Sequence, residues 1–252
     1  MVHPKKHLGQ HFLTDPNLAR RTVEALSPGG LELLEIGPGK GILTRIILED
    51  QPLNFKVIEI DGEAVAYLQE HFPELDGKII HRDFLAEDMK VHFSGKFSVI
   101  GNFPYNISSQ ILFKVLDLRQ QVEEVVGMFQ KEVAERIASP PGSKKYGILS
   151  VLLQAFYTIE YLFTVNEGSF FPPPKVKSAV IRLKRNSTPQ LDCDEKLFFS
   201  LVKTAFNQRR KTLRNALKAF QFGEFLPEGI LQKRAEQLSV EDFVVLCRNV
   251  RA

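Results

Sequence analysis

Alternating glycines, acids at two successive strand ends and one Asn-x-Pro-Tyr tetrapeptide are the features of this chain best suited to chemistry. The run Leu33-Leu34-Glu35-Ile36-Gly37-Pro38-Gly39-Lys40-Gly41 places three glycines after an apolar stretch and before a helical pattern. Small residues at such a point let the backbone turn sharply and approach a ligand closely. The GxGxG spacing differs from the GxGxxG of nicotinamide enzymes, and the GK[ST] of a phosphate-binding loop is missing. The loop therefore predicts a site for a nucleoside-bearing cofactor without saying which one. About twenty residues on, Glu59 closes the next apolar run, where an acid can reach ribose hydroxyls. Its two carboxylate oxygens suit two neighbouring hydroxyls. Asp83, in His81-Arg82-Asp83-Phe84, can accept from an exocyclic adenine amine. Asn102-Phe103-Pro104-Tyr105 ends a further strand and should face the same crevice, since open α/β sheets bind ligands at the carboxyl ends of their strands. Singly, each acid is an ordinary loop residue. Three such elements in register point to a cofactor site.

The elements that must position these groups alternate. Thr14-Asp15-Pro16 predicts a helix start, with Asp15 as cap, and Ser27-Pro28-Gly29-Gly30 its stop. Strand patterns at 31–36, 55–60, 78–81, 97–101 and 122–129 are interleaved with helical spacing at 42–49, 62–71, 108–118 and 131–138. Such alternation predicts a mostly parallel sheet covered on both faces. A basic loop, SPPGSKKY, precedes a helix at 147–156, and paired strands at 157–165 and 178–183 flank Phe170-Phe171-Pro172-Pro173-Pro174. From about residue 186 the pattern is helical, and Ser239-Val240-Glu241-Asp242 is a candidate capping box. The expected domains are 1–186, carrying the cofactor site, and 187–252, small and all-helical.

Bulk properties narrow the class. The chain has 252 residues, enough for one large α/β domain and an appendage, since domains commonly run ~100–150 residues. No apolar stretch approaches the ~20 residues of a membrane span, and the basic N-terminus lacks the apolar run of a signal peptide. Cys193 and Cys247 form no CxxC pair, which predicts reduced thiols and a cytoplasmic protein. Lys and Arg total 33 against 30 acids, an excess too small to imply nucleic acid by itself. Its distribution is more telling: 201–219 carries Lys203, Arg209, Arg210, Lys211, Arg214 and Lys218 with no acid, and Lys5-Lys6-His7 forms a second group. Clusters like these can neutralise phosphates, although a charge run alone is more often a solvated helix face.

The tetrapeptide, at this distance from a GxGxG loop, resembles that of adenine-N6 methyltransferases. Nearly the whole chain resembles the small-subunit ribosomal RNA adenine-N6 dimethyltransferase family, of the KsgA type. The matching stretches are Lys6-His7-Leu8-Gly9-Gln10-His11-Phe12-Leu13, the glycine loop, 102–108, 170–176 and 206–215, and Gln-x-Phe-Leu is the most diagnostic. The resemblance implies a class I methyltransferase (Rossmann-like) fold: α/β, doubly wound, with a mostly parallel seven-stranded sheet and a small all-helical C-terminal domain. It implies S-adenosylmethionine as methyl donor, no metal, and transfer of two methyls to each of two adjacent adenosines in a hairpin near the 3′ end of 16S rRNA. The partners implied are that rRNA and the assembling small subunit, with no membrane and no need for more than a monomer.

Roles follow by analogy. His11 and Leu13 would contact the methionine end of the cofactor, Gly37 and Gly39 would approach it through backbone, Glu59 would hold the ribose and Asp83 the adenine amine. Asn102 would lie between cofactor and target. The target N6 lone pair is delocalised into the ring, so Asn102 and the Pro104 carbonyl would accept from the amine and favour a pyramidal nitrogen. Proline fixes φ and steadies that carbonyl. Tyr105 would stack on the base and Phe171 form a second aromatic wall. Arg209, Arg210, Lys211 and Arg214 would grip rRNA phosphates. Two positions depart slightly from the family: His11 stands where asparagine is also common, and Phe103 where leucine is more usual.

Three other readings remain in view. The tetrapeptide does not identify the polymer, so adenine in DNA or another RNA is an alternative substrate. An assembly or transcription-associated binding protein with a vestigial pocket is a second. A nicotinamide oxidoreductase is disfavoured by the glycine spacing.

Overall fold

The computed structural model describes residues 2–28, 32–49 and 54–251. The expected helix stop at Gly29-Gly30 and the strand start at Leu31 lie outside these residues. In chain order the elements begin with β1 Phe12–Leu13, α1 Pro16–Val23, β2 Glu32–Ile36, α2 Ile42–Glu49, β3 Phe55–Glu59 and α3 Gly62–His71. Next come β4 Ile79–His81, β5 Phe97–Asn102, α4 Ser108–Asp117, β6 Val122–Gln130, α5 Lys131–Ala138 and α6 Ile148–Gln154. The last are β7 Tyr157–Val165, β8 Phe170–Phe171, β9 Ser178–Arg185, α7 Glu195–Asn207, α8 Leu213–Ala216 and α9 Val240–Arg248.

Two compact units result: Met1–Ala134 with Ile159–Arg185, and Glu135–Thr158 with Asn186–Ala252. The sequence expectation drew one cut near residue 186. The second unit also takes in 135–158, for local reasons. Gln154 Nε2 donates to the carbonyls of Ile137 and Ser139, the Asn186 amide donates to Phe156 O, and α6 packs on α7 and α9.

In the first unit seven strands lie in the order β4-β3-β2-β5-β6-β9-β7. Pairs from β4 to β6 are parallel, and β9 runs antiparallel to β6. Consecutive residues of β2, β5 and β6 are buried, the mark of strands covered on both faces rather than one. Leu33, Val57, Ile100, Val126 and Val180 form one core with Ala19 and Val23 of α1, Ile46 and Ile47 of α2 and Leu68 of α3. Asp15 caps α1 as its sequence implied, accepting from the Asn17 and Leu18 amides at 2.9 and 3.2 Å. A separate ribbon pairs β1 with β8, Phe12 opposite Phe171, which no alternation in two-residue strands could have signalled.

The second unit is helical apart from the first two residues of β7 and the isolated bridge Phe222–Val250. Phe198, Leu201, Val202, Leu213, Phe243 and Leu246 are buried, and Ser239 and Asp242 form a reciprocal capping box at 3.0 and 3.1 Å.

Two interior features yield predictions. The Phe103 ring fills space left by the absent side chains of Gly101 and Gly127: a Cβ at either would lie 2.6 or 2.4 Å from it. Gly127→Ala should therefore cost about 1–3 kcal/mol by overpacking, with Phe103→Leu in the same chain restoring part of the loss in denaturant titrations. Glu35 is buried on β2, accepting from Thr44 Oγ1 at 2.6 Å, and desolvation pushes its pKa up from 4.5 to about 8. Between those values the folded state keeps a proton that the unfolded chain has lost, so this group's stabilising share is complete below 4.5 and is lost as pH rises through 8. Glu35→Gln should gain in melting temperature relative to the parent between pH 5 and 8.5, and an unchanged difference would contradict this.

Candidate active site

Strand order reverses at β2. The chain proceeds from β2 to β3 and β4 on one side, then returns to place β5 on the other. Loops leaving the carboxyl ends of β2 and β5 diverge there, opening a crevice where doubly wound sheets bind ligands. The pocket at this point is lined by Ile36, Gly37 and Gly39 at the end of β2, Glu59 and Ile60 at the end of β3, Arg82 and Asp83 after β4, and Asn102–Ile107 at and beyond the end of β5. Residues 8–12 form its remaining wall.

The glycine loop fits a closely approaching nucleoside. Gly37 has φ +67°, and a Cβ added to it would meet no protein atom within 4 Å, leaving that face of the backbone open. Gly39, φ +56°, is needed for another reason: its Cβ would strike the Phe12 ring at 2.8 Å. Glu59 is 5% exposed. Its Oε1 accepts from the Ile60 and Asp61 amides, both at 2.9 Å, and its Oε2 from the Gly39 amide at 3.1 Å. Burial pushes the Glu59 pKa up, opposed by these three amides. The geometry refines the expectation of two hydroxyls on two oxygens: Oε1 is taken up by backbone, so Oε2 is the oxygen with room for a ribose hydroxyl. Asp83 Oδ1 accepts from the Leu85 amide at 2.9 Å, and its carboxylate lines the pocket.

The Asn102 side chain is oriented by the N-terminal segment. Nδ2 donates to His11 O at 2.8 Å. Because a carbonyl only accepts, the amide nitrogen must face it and Oδ1 is the end left for a bound amine. The Pro104 carbonyl takes the Ile107 amide at 3.2 Å and keeps a second lone pair. Tyr105 is half-buried, its ring 5.3 Å from that of His11, and its hydroxyl pairs with Ser178 Oγ at 2.5 Å. Burial raises the Tyr105 pKa, so the phenol stays neutral. His11 Nδ1 lies 2.7 Å from Pro172 O, which requires the proton on Nδ1.

Gly37, Gly39, Glu59, Asp83, His11, Asn102, Pro104 and Tyr105 thus converge on one pocket. Leu13 does not line it: its side chain is buried in the core beside Phe170. Phe171 is also absent from the pocket wall, 58% exposed and joined to the site through its β1 partner Phe12. Sequence reasoning missed Ser178, Asn106 and the Lys5–Asp61 pair. Asn106 lies in the 102–108 stretch, Lys5 in the N-terminal basic group and Asp61 two residues from Glu59, but no spacing pairs them with their partners, and Ser178 belongs to no local motif.

In the second unit Arg210, Lys211 and Arg214 are exposed around the α7–α8 turn. Arg209 differs: its guanidinium donates to Lys144 O and pairs with Glu236 at 3.7 Å, so it ties the 139–146 loop to the basic turn. Among the described residues no His/Cys/Asp/Glu group could hold a metal, and no helix is long and apolar enough to cross a membrane.

Comparison with known proteins agrees with this geometry. Residues 1–249 match the family model for ribosomal RNA adenine dimethylase. The ribosomal RNA small subunit methyltransferase A of Cytophaga hutchinsonii is 59% identical over 247 residues, covering 96% of this chain and 95% of that protein. That of Flavobacterium johnsoniae is 57% identical, covering 100% and 97%. Among solved structures, a dimethyladenosine transferase from Plasmodium falciparum superposes with TM-score 0.78 at 25% identity, covering 94% of this chain and 96% of the other. The 23S rRNA methyltransferase ErmE does so with TM-score 0.72 at 26% identity, covering 94% and 98%. A doubly wound sheet with its acids and Asn-x-Pro-Tyr turn gathered at the β2/β5 reversal, matched along almost its whole length, identifies this chain as a methyltransferase belonging to the ribosomal RNA adenine dimethylase family.

Proposed function

We propose that this enzyme methylates N6 of two adjacent adenosines in a 3′-terminal hairpin of small-subunit (16S) rRNA, giving N6,N6-dimethyladenosine. The observation that carries the reading is the Asn102 amide in the pocket lining, its nitrogen committed to His11 O so that its oxygen is the end available to an amine. S-adenosylmethionine is the donor this pocket suits, and it would supply an electrophilic sulfonium methyl. Glu59 Oε2 and Asp83 hold its ribose and adenine, Gly37 and Gly39 admit it against backbone, and His11 forms the wall at its methionine end. Leu13 acts from behind that wall, by keeping β1 in the core.

The residues of the tetrapeptide handle the target. Asn102 Oδ1 and Pro104 O accept the two amine hydrogens and turn the nitrogen lone pair out of conjugation. Tyr105 stacks on the flipped base, and exposed Phe171 is available as the opposite wall. The proton lost from nitrogen needs no strong base, since an alkylated anilinium-like centre is acidic. Rate enhancement rests mainly on positioning of amine and methyl. Arg210, Lys211 and Arg214 contact phosphates, and Arg209 holds their turn against the 139–146 loop.

The small-subunit assignment is favoured over the large because the relatives at 57–59% identity carry that name, against 26% for ErmE. The enzyme would act in the cytoplasm on the assembling subunit, as a monomer, with no metal.

The test is incorporation of labelled methyl groups into small subunits lacking the modification, followed by digestion to nucleosides. Label should appear in N6,N6-dimethyladenosine. Asn102→Ala should lower it by about 10²–10³-fold while cofactor affinity is retained, as for loss of a transition-state hydrogen bond. Label in large-subunit rRNA or DNA would move the substrate assignment. Replacing Arg210, Lys211 and Arg214 by Gln should weaken rRNA binding and reduce the slope of log K against log salt by about two to three. A parental slope would remove these residues from the interface.

A further inference from the structure

The wall formed by residues 8–12 has little regular structure of its own. It comprises a single 3-10 turn, Lys6–Leu8, and the two-residue strand β1. Its position over the pocket depends on tethers. On the target side are the Asn102–His11 and His11–Pro172 bonds and the β1–β8 ribbon. In the middle, Gly9 (φ +64°) passes so close to the turn after β5 that a Cβ would sit 2.4 Å from Asn106 Oδ1.

On the cofactor side everything converges on Asp61. Lys5 Nζ lies 2.5 Å from Asp61 Oδ1, Gln10 Nε2 donates to Oδ2 at 3.2 Å, and Gln10 Oε1 accepts from the Lys5 amide at 2.8 Å. Lys5 also approaches Glu63 at 3.2 Å. The Asp61 side chain is fully buried, and Lys5 is the cation reaching it. Burial opposes its ionisation, yet the Lys5, Gln10 and Glu63-amide hydrogen bonds outweigh that and hold its pKa below the ordinary value. Asp61 also stands next to the ribose site, since its amide is one of the donors fixing Glu59 Oε1.

We propose that Lys5 and Asp61 are positioning residues for cofactor retention: their ion pair holds residues 8–12 against the pocket, and the bound nucleoside leaves when that pair opens. The proposal rests on the cofactor reading given above. It assigns Asp61 a part distinct from its capping of α3, where it accepts from the Glu63 amide at 3.0 Å. It also explains why an otherwise irregular segment can serve as a pocket wall.

The test is the dissociation rate of S-adenosylhomocysteine from the full chain, followed by stopped-flow displacement. Lys5→Met should raise the rate about tenfold, as loss of one charge-assisted hydrogen bond implies. Lys5→Arg should restore it, and the control Lys6→Met should leave it unchanged. Asp61→Asn keeps an oxygen for the α3 cap and should act like Lys5→Met, with the double variant no faster than either single one. Added salt should speed release from the parent more than from Lys5→Met. Rescue by Lys5→Arg and the salt dependence of release separate retention from a damaged site. An unchanged rate in Lys5→Met, or additive effects in the double variant, would overturn the latch while leaving the cofactor reading intact. Absence of any S-adenosylhomocysteine binding by the parent would overturn both.

Discussion

Strand β5 pairs with β2 on the side opposite β3, and the site depends on that reversal. Two parallel neighbours whose connections leave in opposite directions cannot have their loops pack over each other, so a crevice opens between them. Each strand ending there then supplies one group: backbone room from the glycine loop, a buried carboxylate from β3, a second from the turn after β4, and an amide and carbonyl from the turn after β5. Spacing along the chain becomes proximity in space because parallel strands end on the same side. The glycine-walled slot holding the Phe103 ring, between Gly101 and Gly127, seats the β5 turn against the neighbouring strand.

The N-terminal segment completes what the sheet leaves open. It spans from the β3 end, through Lys5, Gln10 and Asp61, to the β8 ribbon and Pro172. In passing it presents a backbone carbonyl to Asn102 and thereby fixes which end of that amide faces the segment. The pocket wall and the orientation of the Asn102 amide are thus carried by one short stretch. This accounts physically for a Gln-x-Phe-Leu motif far in sequence from the Asn-x-Pro-Tyr turn: Gln10 bonds the buried acid, Phe12 packs on Gly39, and Leu13 anchors the stretch in the core.

The second unit treats charge differently from what a count of basic residues implies. Arg209 spends its guanidinium on Lys144 O and Glu236, so it shapes the exposed basic turn rather than adding a free cation to it. Arginine suits this part, because its planar fork can serve a carbonyl and a carboxylate together. Its neighbours Arg210, Lys211 and Arg214 remain directed to solvent.

What the sequence determined by itself was whatever depends on local order along the chain. Alternating apolar runs and helical spacing imply a covered parallel sheet, and Asp15 and Ser239 announce helix starts. Gly37, Glu59, Asp83 and Asn102 are legible because each lies at or just beyond the end of a strand, so topology alone carries them to one edge. Tertiary structure decided the rest. The β1–β8 ribbon joins residues about 160 positions apart through strands too short to alternate, the Asp61 latch pairs groups 56 residues apart, and Ser178 meets Tyr105 across 73. The burial of Leu13, the saturation of Glu59 Oε1 and the internal commitment of Arg209 likewise depend on which atoms of distant segments reach one another. A hydrogen bond between such segments leaves no periodicity behind, so it becomes visible only when the chain has closed on itself.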